Sequence, residues 1–414
     1  MENIGTTQNA SPSTTPITFD GLGIAPKILE ILDRLKFTVP TPIQQKAILP
    51  GIEGKDLVGI AQTGTGKTLA FVIPMIQRLS QAGKGRGLVL VPTRELAFQV
   101  DETYRKIGPH FGKQSVVVIG GASMHTQIQA LRKNPAVIIA TPGRLMDHLQ
   151  QGTVKLHDVQ ILVLDEADRM LDMGFLPQIQ RILKAVPKDR QTMLFSATMP
   201  EAIASIAGQH MKLPLNIEIA RSGTLAEKLT QELFVVQENS KNQLLKKLLG
   251  QYHGSALVFT RTRIDARRVS RSIREMGFTA AEIHADRTMA QRRDALDGFK
   301  AGRFRILVAT DIAARGIDVT GIEVVFNYDL PEDAENYVHR IGRTGRAGHK
   351  GHAISFATPD QLTDVRSIER LIRTALPISE HPEMPQEKFS SPSRTSFSPR
   401  GAKRGRGGFR RFRR

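Results

Sequence analysis

Apolar residues fall along this chain in short, repeated runs. The first series is Asp56–Ile60, Gly87–Val91, Ser115–Ile119, Ala136–Ala140, Ile161–Leu164, Met193–Phe195 and Leu215–Ile219. A second follows: Phe234–Val236, Ala256–Phe259, Ala281–Ile283, Ile306–Ala309, Val324–Phe326 and Ala353–Phe356. Most are rich in Val, Ile and Leu and apolar on both faces, as strands of a parallel sheet covered on both sides read. Segments with helical spacing lie among them: Thr68–Leu79, Glu95–Ile107, Lys241–Leu249 and Asp265–Met276, with Asp360–Leu376 after the last run. Strands alternating with helices predict βαβ units and an α/β, doubly wound architecture.

Thirteen runs are many for one open sheet, so the pattern predicts two. It breaks near Arg221–Glu227, where Ser, Gly, Thr and charges intervene. The expected division is a first domain over 18–220, a linker over 221–227 and a second domain over 228–376. Residues 1–17, rich in Ser, Thr, Asn and Pro, are expected to be disordered. Residues 377–414, Pro/Ser-rich and then Gly/Arg-rich, are expected to form a disordered tail that buries no core.

Composition narrows the function. The 414 residues hold 58 Lys+Arg against 40 Asp+Glu, a formal charge of +18, and no cysteine. That excludes a disulfide framework, Cys-ligated zinc, an iron–sulfur cluster and a thiol nucleophile. No apolar run approaches the ~18 residues of a membrane helix. The first residues show neither a basic region nor an apolar stretch of a signal peptide. A soluble cytoplasmic protein without a membrane partner is the expectation. Residues 388–414 carry ten basic residues and no acidic one. A basic body with a more basic tail points to a polyanion, most simply nucleic acid. The competing reading is a solvated solubility tail. Phe409 and Phe412 interleave with arginines there, which suits stacking on single strands.

Ala61-Gln-Thr-Gly-Thr-Gly-Lys-Thr68 follows a strand run and opens a helix. It nearly matches the phosphate-binding loop, with Ala61 at the first glycine position. Thr63, Gly64, Thr65 and Gly66 would cradle phosphates through backbone N–H groups. Lys67 would reach the β/γ-phosphates and Thr68 would ligate Mg²⁺. Leu162-Val-Leu-Asp-Glu-Ala-Asp168 places carboxylates at the end of a buried strand, where ligands of open α/β sheets sit. Alone, such a cluster is a helix cap or a solvated loop. Paired with the loop at Lys67, it assigns Asp165 to Mg²⁺ and Glu166 to the attacking water. Arg343 and Arg346, three apart in Tyr337–Arg346, are on one side of a helical turn. They read equally as arginine fingers or as a basic surface patch.

Together these residues resemble the DEAD-box family of ATP-dependent RNA helicases, over Phe19 to about Phe356. The resemblance implies two RecA-like domains, ATP and Mg²⁺ as cofactors, and RNA as partner. Phe19 would stack on adenine, and Gln44 of Phe37–Gln44 would bond its edge; the family usually has Gly where Lys36 stands. Ser196 and Thr198 of Ser196-Ala-Thr198, with Asp168, would link nucleotide state to domain closure. Gly316 and Asp318 would contact the nucleotide, and His339 would bridge the domains.

The family's RNA path would run over Pro92, Thr93, Arg94, Gly121, Thr141 and Arg144 of the first domain. It would continue over Arg261, Arg292, Thr310 and Asp311 of the second. Small residues, Thr hydroxyls and Arg forks suit sequence-tolerant phosphate and 2′-hydroxyl contacts. His284–Arg292 departs from the pattern, with Ala285 for Gly and Met289 for Gln. The short C-terminal extension and Ala313–Asp318 look most like the bacterial RhlE-type subgroup. The implied activity is RNA-stimulated ATP hydrolysis that closes the domains, bends one RNA strand and unwinds short duplexes. The alternative is an ATP-gated RNA clamp or annealing chaperone. A monomer is expected, with ribosome-assembly or RNA-decay partners as family possibilities.

Overall fold

The computed structural model describes residues 18–389 apart from 62–63, 220–228, 315–318, 320 and 346–350. Every apolar run forms a strand. The first seven are β1 (Leu57–Ile60), β2 (Arg86–Leu90), β3 (Ser115–Val118), β4 (Val137–Ala140), β5 (Val159–Leu164), β6 (Gln191–Ser196) and β7 (Leu215–Glu218). The next six are β8 (Leu229–Val235), β9 (Ser255–Thr260), β10 (Ala280–Ile283), β11 (Ile306–Thr310), β12 (Ile322–Asn327) and β13 (Gly351–Ala357). They build two parallel sheets, ordered β3-β4-β2-β5-β6-β1-β7 and β10-β11-β9-β12-β13-β8. Apolar clusters cover both faces of each sheet, which is why most runs lack polar alternation, the edge strand β7 (Leu-Asn-Ile-Glu) being the exception.

All β–α turns after these strands open on one edge of each sheet. In the first sheet that edge divides by strand position. Neighbouring β5, β6 and β1 lead into Asp165, Ala197 and Ala61, while neighbouring β3, β4 and β2 lead into Ile119, Thr141 and Val91. Chemistry and RNA candidates therefore lie side by side on one rim, as strand order alone requires.

Two local features depart from the sequence expectation. Residues 377–389 of the expected tail are packed on the second sheet. Leu233 of edge strand β8 donates to Pro377 O at 2.8 Å, and its carbonyl accepts from Ser379 N at 2.8 Å. Met384 and Phe389 pack against second-domain apolar clusters. An open strand edge offers unpaired backbone groups, and this segment satisfies some of them. Lys36, at the position the family gives to glycine, has φ +62°. The backbone there is left-handed, which glycine adopts without the Cβ cost that lysine bears.

Candidate functional site

The phosphate-loop candidate lies between β1 and helix Lys67–Ala82. Gly64 and Gly66 have φ of +86° and +89°. A Cβ on Gly66 would stand 2.5 Å from Gln44 Nε2, so only glycine fits. The Gln44 amide donates to Gly66 O at 3.0 Å and accepts from Thr41 N at 2.9 Å. The Phe37–Gln44 run is thereby fastened to the loop. Lys67 is buried, and its ammonium donates to Ala61 O at 2.9 Å across the loop. Thr65 and Thr68 are half-buried at the helix start. Phe19 packs within the first-domain core. Thr63 lies outside the described residues.

Asp165 and Glu166 follow β5 and are 2% and 3% exposed, too little for a solvated acidic loop. Burial, opposed by the Lys67 charge, pushes Asp165 up to about 7. Glu166 has φ +51°, a left-handed conformation that is strained for this residue and turns the chain into the next helix. Its Oε2 accepts from Arg169 Nη1 at 2.9 Å, in a pair almost fully buried. Asp168 ties this turn to the one after β6. Its Oδ2 accepts from Ala197 N and Thr198 N at 2.9 Å each and from Thr198 Oγ1 at 3.1 Å. Asp168 N donates to Ser196 Oγ at 3.2 Å. The Asp168, Ser196 and Thr198 candidates thus form one hydrogen-bonded unit.

The second domain faces this unit across a cavity of about 590 Å³. Ile60, Ala61, Thr198 and Ile217 wall it from one side, and His339, Arg343 and Leu371 from the other. Burial pushes His339 down to about 4, helped by Arg169 and opposed by Asp168 and Glu166. Its field therefore comes mostly from the first domain. Arg343 is buried in the turn after helix Ala334–Ile341 rather than on the helix itself. Arg346, Gly316 and Asp318 lie outside the described residues.

The RNA candidates of the first domain are contiguous. A Cβ on Gly121 would fall 2.1 Å from Arg94 Nη1, so glycine makes room for that guanidinium. Arg144 Nη1 donates to Ala122 O at 2.9 Å. Thr141 and Pro92 are buried beside them, and the Thr93 hydroxyl caps helix Arg94–Arg105 by accepting from Leu96 N at 3.3 Å. In the second domain, Arg261 is exposed and Thr310 half-buried at the ends of β9 and β11. Two further candidates of this domain have charged protein partners. Both Asp311 oxygens accept from Arg340, at 2.6 and 2.7 Å. Arg292 Nη2 lies 2.8 Å from Glu95 Oε1 of the first domain, with both side chains under a tenth exposed.

Two family models match the chain: DEAD/DEAH box helicase over residues 41–206 and helicase conserved C-terminal domain over 240–348. The ATP-dependent rRNA helicase RRP3 of Debaryomyces hansenii is 42% identical over 91% of this chain and 80% of its own. The chain belongs to the DEAD-box helicase family. The ATP-dependent RNA helicase CshA of Listeria monocytogenes is 44% identical over 85% of this chain and 68% of its own. A structure of Saccharomyces cerevisiae Dbp5 bound to RNA and ADP BeF3 superposes with a TM-score of 0.79. It is 31% identical and covers 87% of this chain and 95% of that one. The enzyme is accordingly an ATP-dependent RNA helicase with two RecA-like domains.

Sequence reasoning passed over several groups in this helicase site. Glu95 sits inside the quoted Pro92–Ala97 stretch, and Arg169 directly follows Asp168. Arg340 is buried over the Phe259 ring at 5.1 Å, donates to Asp329 O at 2.5 Å and grips Asp311. Asp329 in turn holds Lys241 Nζ at 2.8 Å and Arg261 N at 3.0 Å. The available signal was adjacency: Glu95, Arg169 and Arg340 directly follow Arg94, Asp168 and His339.

Proposed function

We propose that this helicase couples RNA-stimulated ATP hydrolysis to closure of its two domains, bending one RNA strand and opening short duplexes. One observation carries the reading. His339 and Arg343 of the second domain face the Asp168–Thr198 unit of the first across a single cleft. Lys67 binds the β/γ-phosphates, trading its bond to Ala61 O for charged oxygens. Gln44 and Phe19 select adenine. Thr63, Gly64, Thr65, Gly66, Gly316 and Asp318 complete the nucleotide contacts.

Glu166, held by Arg169, orients the attacking water and takes its proton. The water oxygen bonds to the γ-phosphorus as the bond to the β–γ bridging oxygen breaks, releasing ADP. Arg343 and Arg346 neutralise charge as it moves onto that bridge. Asp165 and Thr68 fit Mg²⁺, since both offer hard oxygens and the raised carboxyl of Asp165 gains from a cation. When bound, the ion neutralises phosphate charge. Among the described residues no cluster of three or more His, Cys, Asp or Glu side chains could hold a metal.

RNA runs over Pro92–Arg94, Gly121 and Thr141–Arg144, then over Arg261 and Thr310. Arg292 and Asp311 support this path through Glu95 and Arg340. Relatives named for rRNA favour a ribosome-assembly substrate. The Ala313–Asp318 sequence is our basis for a place in the RhlE-type subgroup, acting as a cytoplasmic monomer. The clamp or annealing reading has one observation in its favour. Met289 packs against the first-domain core and Arg292 pairs with Glu95, so this element spends its contacts on the domain interface. Strand separation that requires ATP distinguishes the two.

The test is steady-state ATP hydrolysis without nucleic acid, with single-stranded RNA and with matched DNA, for wild type and Glu166→Gln. RNA-only stimulation, lost in the variant, is expected. Equal stimulation by DNA refutes RNA selectivity, and no stimulation refutes the coupling.

A further inference from the structure

Helix Arg263–Glu275 carries Arg263, Arg267, Arg268, Arg271 and Arg274 and no lysine. Its buried face is Ala266, Val269, Ser270 and Ile273. Arg263, Arg267 and Arg271 recur every fourth residue on the exposed face, about 6 Å apart along the axis. Arg268 is matched by Asp265 at 2.9 Å. The stripe is not. Arg263 and Arg267 share the single carboxylate of Asp286, at 2.5 and 3.3 Å. Arg274 and Arg287 share Glu282. Arg271 has no acidic partner among the described residues. Five arginines (263, 267, 271, 274 and 287) therefore stand against three carboxylates, Glu282, Asp286 and Glu275 at the end of the same row, an excess of two positive charges.

An ordinary solvated helix face alternates signs. Here like charges stand at i and i+4 twice in succession, which destabilises an isolated helix by about 0.2–0.5 kcal/mol per pair. A polyanion removes that cost. Arginine, with its planar fork of donors, is the side chain suited to phosphate.

The placement identifies which polyanion. The stripe begins two residues after Arg261, at the end of β9 where the proposed RNA path crosses the second domain. The helix then runs back along the sheet, and Arg274 Nη1 reaches Ala280 O at the start of β10 at 3.3 Å. Because β10 is the outer strand, the arginines descend the flank of the domain. We infer that Arg263, Arg267 and Arg271 form an auxiliary site for the phosphates of an RNA strand that continues beyond the core path. This rests on the proposed RNA path and extends it.

The experiment compares the full chain with an Arg263→Ala, Arg267→Ala, Arg271→Ala variant. All three side chains are exposed and alanine favours helix, so folding is retained. Each protein is titrated with the shortest single-stranded RNA that fully stimulates ATP turnover, and with the same RNA extended at its 5′ or its 3′ end. One extension is expected to bind wild type more tightly and the variant no better than the short RNA. For that extension, the variant's slope of log affinity against log salt should be shallower by about 2 to 3, at ~0.7–0.9 per phosphate contact. Turnover on the short RNA should be equal in both. An unchanged slope overturns the inference and leaves the face to solvent or an acidic protein. An equal loss on the short RNA also overturns it, since the stripe would then belong to the core path. Absence of RNA-stimulated turnover in wild type refutes the proposed function instead.

Discussion

The contact between Glu95 and Arg292 gives a quantitative test of domain closure. Their charged atoms lie 2.8 Å apart, with side chains 7% and 8% exposed. In the proposed cycle both groups return to water when the domains part, so any imbalance is felt only in the closed state. Removing one partner of a buried pair costs about 3–5 kcal/mol, whereas replacing both is close to neutral. The two single variants should differ. Glu95→Gln leaves a guanidinium that cannot shed its proton, so the full cost applies. A penalty of 3 kcal/mol lowers the closure constant by about 100-fold. Arg292→Met leaves a carboxylate that can take up a proton instead, and burial already raises its pKa. Neutralising a carboxyl of ordinary pKa ~4.3 at pH 7 costs at most about 3.7 kcal/mol, and about 1.4 less for each pH unit below that. Arg292→Met should therefore recover as the pH falls to 6, while Glu95→Gln should not. The double variant should return to within about 1 kcal/mol of wild type. The assay is RNA affinity in the presence of a non-hydrolysable ATP analogue, with donor–acceptor dyes on the two domains reporting closure. Single effects that simply add in the double variant, or a Glu95→Gln protein within threefold of wild type, would refute this account of closure.

Glu166→Gln should bind ATP and RNA yet hydrolyse ATP at least 100-fold more slowly, since water loses its proton acceptor; rapid single-turnover kinetics check this. Removing residues 390–414, and not 388–389, should weaken RNA binding and flatten its salt dependence while leaving thermal stability unchanged, because Phe389 packs on the second domain. A steep residual slope, equal to that of the full chain, would mean the tail touches no phosphate. His339 is held down to about 4, below the ~6.5 of an unfolded histidine. Its stabilising contribution is thus complete above pH 6.5 and lost as pH falls from there through 4, the interval in which the unfolded chain binds a proton that the folded chain does not. In acid unfolding, His339→Gln should lose less stability than wild type across that window; an identical pH dependence would contradict the burial of this ring.

Hydrophobic patterning alone located the strands among the described residues, because a sheet covered on both faces leaves little polar alternation to confuse the period. The strand–loop–helix setting of Lys67 was visible in residue spacing, whereas the joining of Asp168 to Ser196 and Thr198 was expected only from the family resemblance, two hydroxyls after a strand saying nothing of it by themselves. Lys36 shows the limit of that approach. A departure from the family's glycine is visible in sequence, but the left-handed turn that explains it is not. Tertiary structure alone decided the partners of isolated charges. Arg292 and Asp311 look like RNA contacts in sequence, yet one meets Glu95 and the other Arg340. The first pairing crosses between the domains and the second joins residues 29 apart within one, and each attraction is strong only where packing excludes water. The same holds for residues 377–389, whose composition promises no core. What orders them is the open edge of β8, a feature of strand order in the sheet rather than of their own sequence.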